Sequence, residues 1–145
     1  MGKKRIVKKT GQQVDQGLKA RSLAKALNKK KVTSGTLYVE STYNNTKVTL
    51  ADNSGNTLAW SSSGALGFKG AKKRTPFAAS KIGDLLGEKA FGAGIKDVNV
   101  VIKGVGSGRE SAVRSFMAHG IEINTIKDRT PVPHNGPKPK KPRKI

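Results

Sequence analysis

A short apolar segment followed by a glycine-rich turn constrains the fold of this chain more than any other feature. Residues 98–102, Val-Asn-Val-Val-Ile, predict a fully buried strand, and residues 103–108, Lys-Gly-Val-Gly-Ser-Gly, predict a turn. Residues 109–119 have the apolar spacing of a helix, and residues 121–126 predict a last strand. Such a strand–helix–strand unit requires two parallel strands joined by a right-handed crossover.

The preceding part of the chain has the two-residue period of β-strands. Residues 36–42, 47–50 and 57–62 alternate apolar and polar side chains. The pair Asn44-Asn45, which tolerates positive φ, predicts a tight hairpin between the first two strands, and residues 52–56 predict the next turn. We therefore expect a three-stranded antiparallel meander.

Two helices complete the predicted fold. Thr75 and Pro76 suit the N-cap and the first position of a helix that residues 92–94, Gly-Ala-Gly, would end. Residues 107–110, Ser-Gly-Arg-Glu, match a capping box at the start of the second helix, whose predicted buried stripe includes Met117. The sequence thus predicts an α/β fold, in which flanking helices pack on a mixed five-stranded sheet made of an antiparallel meander and a parallel βαβ unit.

The net charge of +20 is distributed unevenly along the 145 residues. Residues 1–33 carry +10, residues 34–130 carry +5, and residues 131–145 carry +5 and five of the six prolines. We predict a basic N-terminal arm (1–33), a globular α/β domain (34–130) and an extended Pro/Lys-rich C-terminal tail (131–145), with both basic termini disordered. Two basic arms indicate a polyanionic partner, because cations placed near phosphates release condensed counterions.

Several classes of function find no support in the composition. The chain has no cysteine, no apolar run near the ~20 residues of a membrane span, and no apolar segment after its basic start. We therefore expect no membrane partner and no secretory signal. His119 and His134 do not form a metal or acid–base constellation, and the carboxylates are scattered along the sequence. We predict no enzyme activity, no cofactor and no metal.

The glycine-rich turn has three possible roles. A dinucleotide fingerprint would place its third glycine at Arg109, although Asp128 lies at a suitable distance to serve a ribose. Alternatively, Arg109 and the helix N-terminus would meet a phosphate of a polymer. The third possibility is that the turn is purely structural.

Two further segments predict contact with RNA. The loop after the third strand carries Lys69, Lys72, Lys73 and Arg74 on flexible, glycine-rich backbone. Phe68 would stack on an unpaired base or, alternatively, fold onto the core. The tail presents Lys138, Lys140, Lys141, Arg143 and Lys144 between prolines. Because aromatic residues make up only 5% of the chain, we expect phosphate contacts and shape to dominate, as for structured RNA.

Four motifs in order carry a resemblance to a known family. They are Tyr-Asn-Asn-Thr at 43–46, Gly-Phe-Lys-Gly at 67–70 with Thr-Pro-Phe-Ala-Ala at 75–79, the glycine-rich turn with Gly-Arg-Glu-Ser at 108–111, and Asp128 with Thr-Pro-Val-Pro-His-Asn-Gly at 130–136. Together they resemble the small-subunit ribosomal protein eleven family, in its bacterial or organellar form, over about residues 35–145. At Val105 and Ser107 the family pattern has prolines.

The resemblance implies a ribonuclease-H-like fold that lacks that enzyme's carboxylates. It also implies a structural protein of the ribosome, bound to small-subunit ribosomal RNA on the platform. We expect a cytoplasmic rather than an organellar ribosome. Neighbouring platform proteins are implied as partners, and the messenger RNA with its Shine-Dalgarno helix is a further candidate. By matching motif, the residues expected to face RNA are Asn44, Asn45, Lys69, Lys72, Lys73, Arg74, Arg109, His134, Asn135 and the basic tail residues Lys138, Lys140, Lys141, Arg143 and Lys144.

Two functions of other classes remain open at this point. A nucleotide-binding enzyme would use the turn at 104–109, and a saturable stabilisation by one nucleotide would identify it. A general DNA-compacting protein would bind duplex DNA as tightly as platform RNA at physiological salt.

Overall fold

The computed structural model describes residues 31–144, so the predicted N-terminal arm, except for its last three residues, lies outside the described residues. The elements are β1 (Ser34–Ser41), β2 (Thr46–Asp52), β3 (Thr57–Ser62), a 3₁₀ helix (Gly70–Arg74), α1 (Pro76–Ala93), β4 (Asp97–Lys103), α2 (Arg109–Met117) and β5 (Glu122–Asp128). The strands form one sheet in the order β3-β2-β1-β4-β5. The β1–β2 and β2–β3 pairs are antiparallel, whereas β1–β4 and β4–β5 are parallel. The prediction of a mixed five-stranded sheet is therefore confirmed.

The central strand β1 joins the two halves of the sheet. Leu37 lies opposite Leu50 in the antiparallel pair and opposite Val100 in the parallel pair, and all three side chains are fully buried. Neighbouring strands lie ~4.8 Å apart, so these side chains form a continuous apolar row across the sheet.

Both helices cover the same face of the sheet and close the core. Ile82 and Leu86 of α1 and Phe116 of α2 are fully buried in the cluster that contains the strand side chains. The two helices approach each other closely, because Gly83 of α1 has no side chain to separate it from the Ala112 carbonyl of α2.

Two sequence-based expectations about burial are wrong. The strand β4 is not buried on both faces, since Val98, Val100 and Ile102 are buried while Asn99 is exposed. The helices leave the second face of the sheet uncovered, so β4 alternates like a half-buried strand. Met117 was expected in the buried stripe of α2 but is 46% exposed.

The helix boundaries follow the predicted signals at α1 but not at α2. Thr75 caps α1 by accepting a hydrogen bond from the Ala78 amide at 3.3 Å, and Gly94 ends the helix in the left-handed conformation. The predicted capping box of α2 does not form. Gly108 occupies the N-cap position with no side-chain cap, and the Ser107 hydroxyl instead donates to the Arg74 carbonyl at 2.7 Å.

Candidate nucleic-acid interface

One edge of the sheet gathers the segments that the sequence singled out. Because β3, β4 and β5 all run parallel to β1, the four strands end at the same edge. The segments that follow these strands are 42–46, 63–75, 104–109 and 129–144, and we call this set the basic edge. Loops at the carboxyl ends of strands are a common place for binding sites, since a rigid sheet positions them.

The glycine-rich turn is packed against the end of β1. The Gly106 amide donates to the Ser41 carbonyl at 2.9 Å, and a side chain at Gly104 would overlap that same carbonyl. A side chain at Gly108 would come within 2.5 Å of the Thr46 hydroxyl. The close approach of the chain to itself therefore explains these glycines, which favours the structural interpretation of the turn over a nucleotide cradle.

The hairpin turn between β1 and β2 is held by Thr42. Its amide donates to the Asn45 carbonyl at 2.8 Å, and its hydroxyl accepts from the amides of Asn44 and Asn45 at 3.4 and 3.2 Å. Neither asparagine adopts the positive φ that the sequence suggested, and among the described non-glycine residues only Asn135 does. The Asn45 side-chain oxygen is buried without a hydrogen-bond donor among residues 31–144.

The loop at residues 69–74, which we call the basic loop, is more ordered than its sequence indicated. Residues 70–74 form a 3₁₀ helix instead of an irregular flexible loop. Lys69 and Lys72 are exposed, while Lys73 and Arg74 are half-buried. The Thr75 hydroxyl donates to the Lys72 carbonyl at 2.7 Å, so the N-cap of α1 also fixes the end of this loop.

Phe68 packs against its own chain. Its ring meets the Phe77 ring edge-on, with the centroids 6.1 Å apart and an interplanar angle of 86°. Phe68 is half-buried. This arrangement favours folding onto the domain over stacking on an unpaired base.

Arg109 forms an ion pair with Asp128 at the end of β5. The Thr130 hydroxyl and amide donate to the same carboxylate at 2.6 and 2.9 Å, and the Gly104 amide donates to the Thr130 hydroxyl at 3.1 Å. The hydrogen bonds from Thr130, followed by the charge and hydrogen bond of Arg109, lower the pKa of Asp128. This network joins the glycine-rich turn to the start of the tail and orients the guanidinium.

The C-terminal tail returns to the hairpin turn. It contains no helix or strand up to residue 144, in agreement with its prolines. The Asn44 side-chain amide donates to the Arg143 carbonyl at 2.8 Å, and the Lys144 ammonium lies 4.7 Å from the centre of the Tyr43 ring. The structure thus brings Asn44 together with the end of the tail. The other predicted tail residues, His134, Asn135, Lys138, Lys140 and Lys141, are exposed along its length.

Two cations of this region were not predicted from the sequence to contact RNA. Lys103 ends β4 and Arg129 follows β5, and both line a cleft of about 320 Å³ beside the edge. Their positions at the ends of two parallel strands were the signal that the sequence offered, since such strands end side by side.

Within the described part of the chain, no group of three or more His, Cys, Asp and Glu side chains could hold a metal ion. None of the helices there is long and apolar enough to cross a membrane.

Comparison with known protein families gives a match over most of the chain. The family model described as Ribosomal protein S11 matches residues 35–144. The match begins at the second residue of β1 and includes all four segments of the basic edge.

Proposed function

Because the chain belongs to the ribosomal protein S11 family, it is a small-subunit ribosomal protein that binds ribosomal RNA, and we propose that it binds RNA of the subunit platform through the basic edge. Proteins of this family have a structural rather than a catalytic role. The observation that carries the proposal is the convergence of the hairpin turn, the basic loop, the glycine-rich turn and the tail at one edge of a rigid sheet.

The chemistry of this edge suits a folded RNA. Lys72 lies in the ordered 3₁₀ helix and Lys69 occupies its N-cap position, so their backbone would meet phosphates at little further cost in conformational entropy. Arg109 keeps guanidinium N–H groups available beyond its pair with Asp128, because its five donors exceed what one carboxylate accepts.

The family resemblance is the basis on which we propose finer features of the function. Our proposal places the chain beside other platform proteins, near the messenger exit and the Shine-Dalgarno helix, in a cytoplasmic ribosome. We also propose that the domain is ribonuclease-H-like. The strand order β3-β2-β1-β4-β5, with only β2 antiparallel to the rest, supports this assignment.

The salt dependence of RNA affinity tests the basic edge. The probe is a transcript of the platform region of small-subunit ribosomal RNA, titrated at several salt concentrations with the full chain. The variant is Lys69→Ala/Lys72→Ala, and the control with the same charge change is Lys96→Ala/Arg114→Ala, whose exposed cations lie outside the basic edge. Each phosphate contact contributes about 0.7–0.9 to the slope of log affinity against log salt.

We expect the basic-edge variant to reduce this slope by about 1.4–1.8 for two lost contacts. The control variant should leave the slope close to that of the wild type. Equal slopes for the two variants would reject the assignment of the basic edge. Equal affinity of the wild type for duplex DNA and platform RNA would instead support general compaction of nucleic acid.

A further inference from the structure

No described helix covers the face of the sheet that lies opposite α1 and α2. The side chains that alternate with the buried Leu37 and Val39 of β1 are Tyr38 and Glu40, and both are exposed. Tyr38 is 40% exposed and Trp60 of β3 is 57% exposed. An uncovered sheet face that keeps two large aromatic side chains in solvent indicates a contact surface, because solvation alone would favour polar residues there.

The strand register places these aromatic residues in one row. Trp60 lies opposite Thr49, Thr49 opposite Tyr38, and Tyr38 opposite Val101. The two rings therefore stand on strands that are separated by one intervening strand, about 10 Å apart. We call this row, with Glu40 and the flanking cations Lys47, Lys103 and Arg129, the open face.

A cleft adjoins Tyr38 on the open face. It has a volume of about 320 Å³ and is lined by Tyr38, Glu40, Val101, Lys103, Arg129 and Pro131. This volume lies at the lower end of the range for small-molecule sites, which suits one flat ring with its sugar. The cleft combines an aromatic face with two cations and one acceptor.

The charge of the open face selects its occupant. Lys47 and Lys103 lie on either side of Glu40 in the row next to the aromatic one, and Arg129 lines the cleft beside Tyr38. A strand of unpaired RNA supplies what this pattern requires, because its bases stack on aromatic rings while its phosphates meet cations. Glu40 only accepts hydrogen bonds, so it suits the N–H groups of a base and directs phosphates toward the cations.

We propose that the open face binds a single-stranded segment of RNA, with Tyr38 and Trp60 stacking on bases and with Lys103 and Arg129 contacting phosphates. This inference rests on the proposed RNA-binding function and adds a second surface to it. The two surfaces are continuous, since Lys103 directly precedes the glycine-rich turn and Arg129 begins the tail segment of the basic edge. An RNA strand that leaves the basic edge can therefore continue across the sheet.

Trp60 is the only tryptophan of the chain, so its fluorescence reports on the open face alone. The experiment titrates the full chain with a mixed-sequence single-stranded RNA of ten nucleotides and with the duplex of the same sequence. We expect saturable quenching by the single strand and much weaker quenching by the duplex, because only unpaired bases expose their rings for stacking.

Tyr38→Thr removes the ring while keeping a residue that favours strands. It should weaken the binding of the single strand about 5- to 150-fold, whereas Tyr38→Phe should bind like the wild type. Phe91→Ala is the matched control, because Phe91 is 69% exposed on α1, which packs on the opposite face of the sheet. Urea unfolding of each variant verifies that the fold is retained.

The outcomes separate this inference from the proposed function. Unchanged affinity in Tyr38→Thr, together with a reduced salt slope in Lys69→Ala/Lys72→Ala, would reject the open face and keep the basic edge. Shielding of Trp60 from acrylamide by neighbouring ribosomal proteins, with no effect of RNA alone, would assign the face to a protein and overturn the proposal. If Lys69→Ala/Lys72→Ala and its control variant have equal salt slopes while Tyr38→Thr still weakens the binding of the single strand, only the basic edge is rejected.

Discussion

The close crossing of α1 and α2 predicts opposite effects for the same substitution at two positions of one helix. A side chain at Gly83 would overlap the Ala112 carbonyl oxygen and come within 2.9 Å of the Ser115 side chain. At Gly92, near the end of α1, an added side chain would meet nothing within 4 Å. Comparing Gly83→Ala with Gly92→Ala therefore separates helix propensity from packing.

The magnitudes follow from two opposing terms. Alanine in place of glycine stabilises a helix by up to about 1 kcal/mol at either position. At Gly83 the overlap is with backbone, which cannot rotate away, and overpacking of this kind costs about 1–3 kcal/mol. We expect Gly92→Ala to raise the free energy of unfolding by up to about 1 kcal/mol and Gly83→Ala to lie about 1–3 kcal/mol below it.

Gly87→Ala provides an intermediate case. Its added side chain would overlap the ring of His119, which is partly exposed and can turn aside with the loss of its 3.8 Å contact to Asp84. Urea unfolding of the full chain measures all three variants. From the most to the least stable variant, the order should be Gly92→Ala, Gly87→Ala and Gly83→Ala. A Gly83→Ala variant as stable as Gly92→Ala would refute the close approach of the two helices.

Two further predictions concern the basic edge. Because hydrogen bonds from Thr130 and the charge of Arg109 lower the pKa of Asp128, its carboxylate should stabilise the fold above its ordinary pKa near 4. That contribution should vanish as the pH falls through the lowered pKa, so the stability difference between wild type and Asp128→Asn, measured by urea unfolding, should shrink in acid and not at neutral pH. Thr75→Ala removes the cap of α1 and the hydrogen bond to Lys72, which should cost about 0.5–2 kcal/mol, while Thr75→Ser should cost less. An equal loss in the two Thr75 variants would show that the hydroxyl is not the stabilising group.

Local chemical signals made much of the fold predictable. The period of two in β1 to β3, the Thr75-Pro76 start of α1 and its end at the glycines of 92–94 depend on neighbouring residues, and the structure confirms them. The parallel pairing of β4 and β5 follows from the chain connection alone. The order of the other strands in the sheet could not be predicted in this way, because it depends on tertiary packing.

The errors arose where a distant segment competes with a local pattern. Ser107 has the sequence of a capping residue, but the Arg74 carbonyl lies close enough to take its hydroxyl. An apolar run such as β4 cannot reveal whether one or both of its faces will be covered. The pair of Arg109 with Asp128 also depends on the sheet, which places the start of α2 beside the end of β5.

The central position of β1 has a consequence for how the protein is made. Ser34 pairs with Asp97 of β4. One edge of β1 therefore stays unpaired until the chain has been synthesised well beyond β3. The meander of β1 to β3 pairs only residues that are close in sequence, and all of them are synthesised before β4. Until β4 arrives, the unpaired backbone of β1, beside the apolar Leu37 and Val39, is open to pairing with a second nascent chain. The strand at the centre of the finished sheet is thus an edge strand of the growing one.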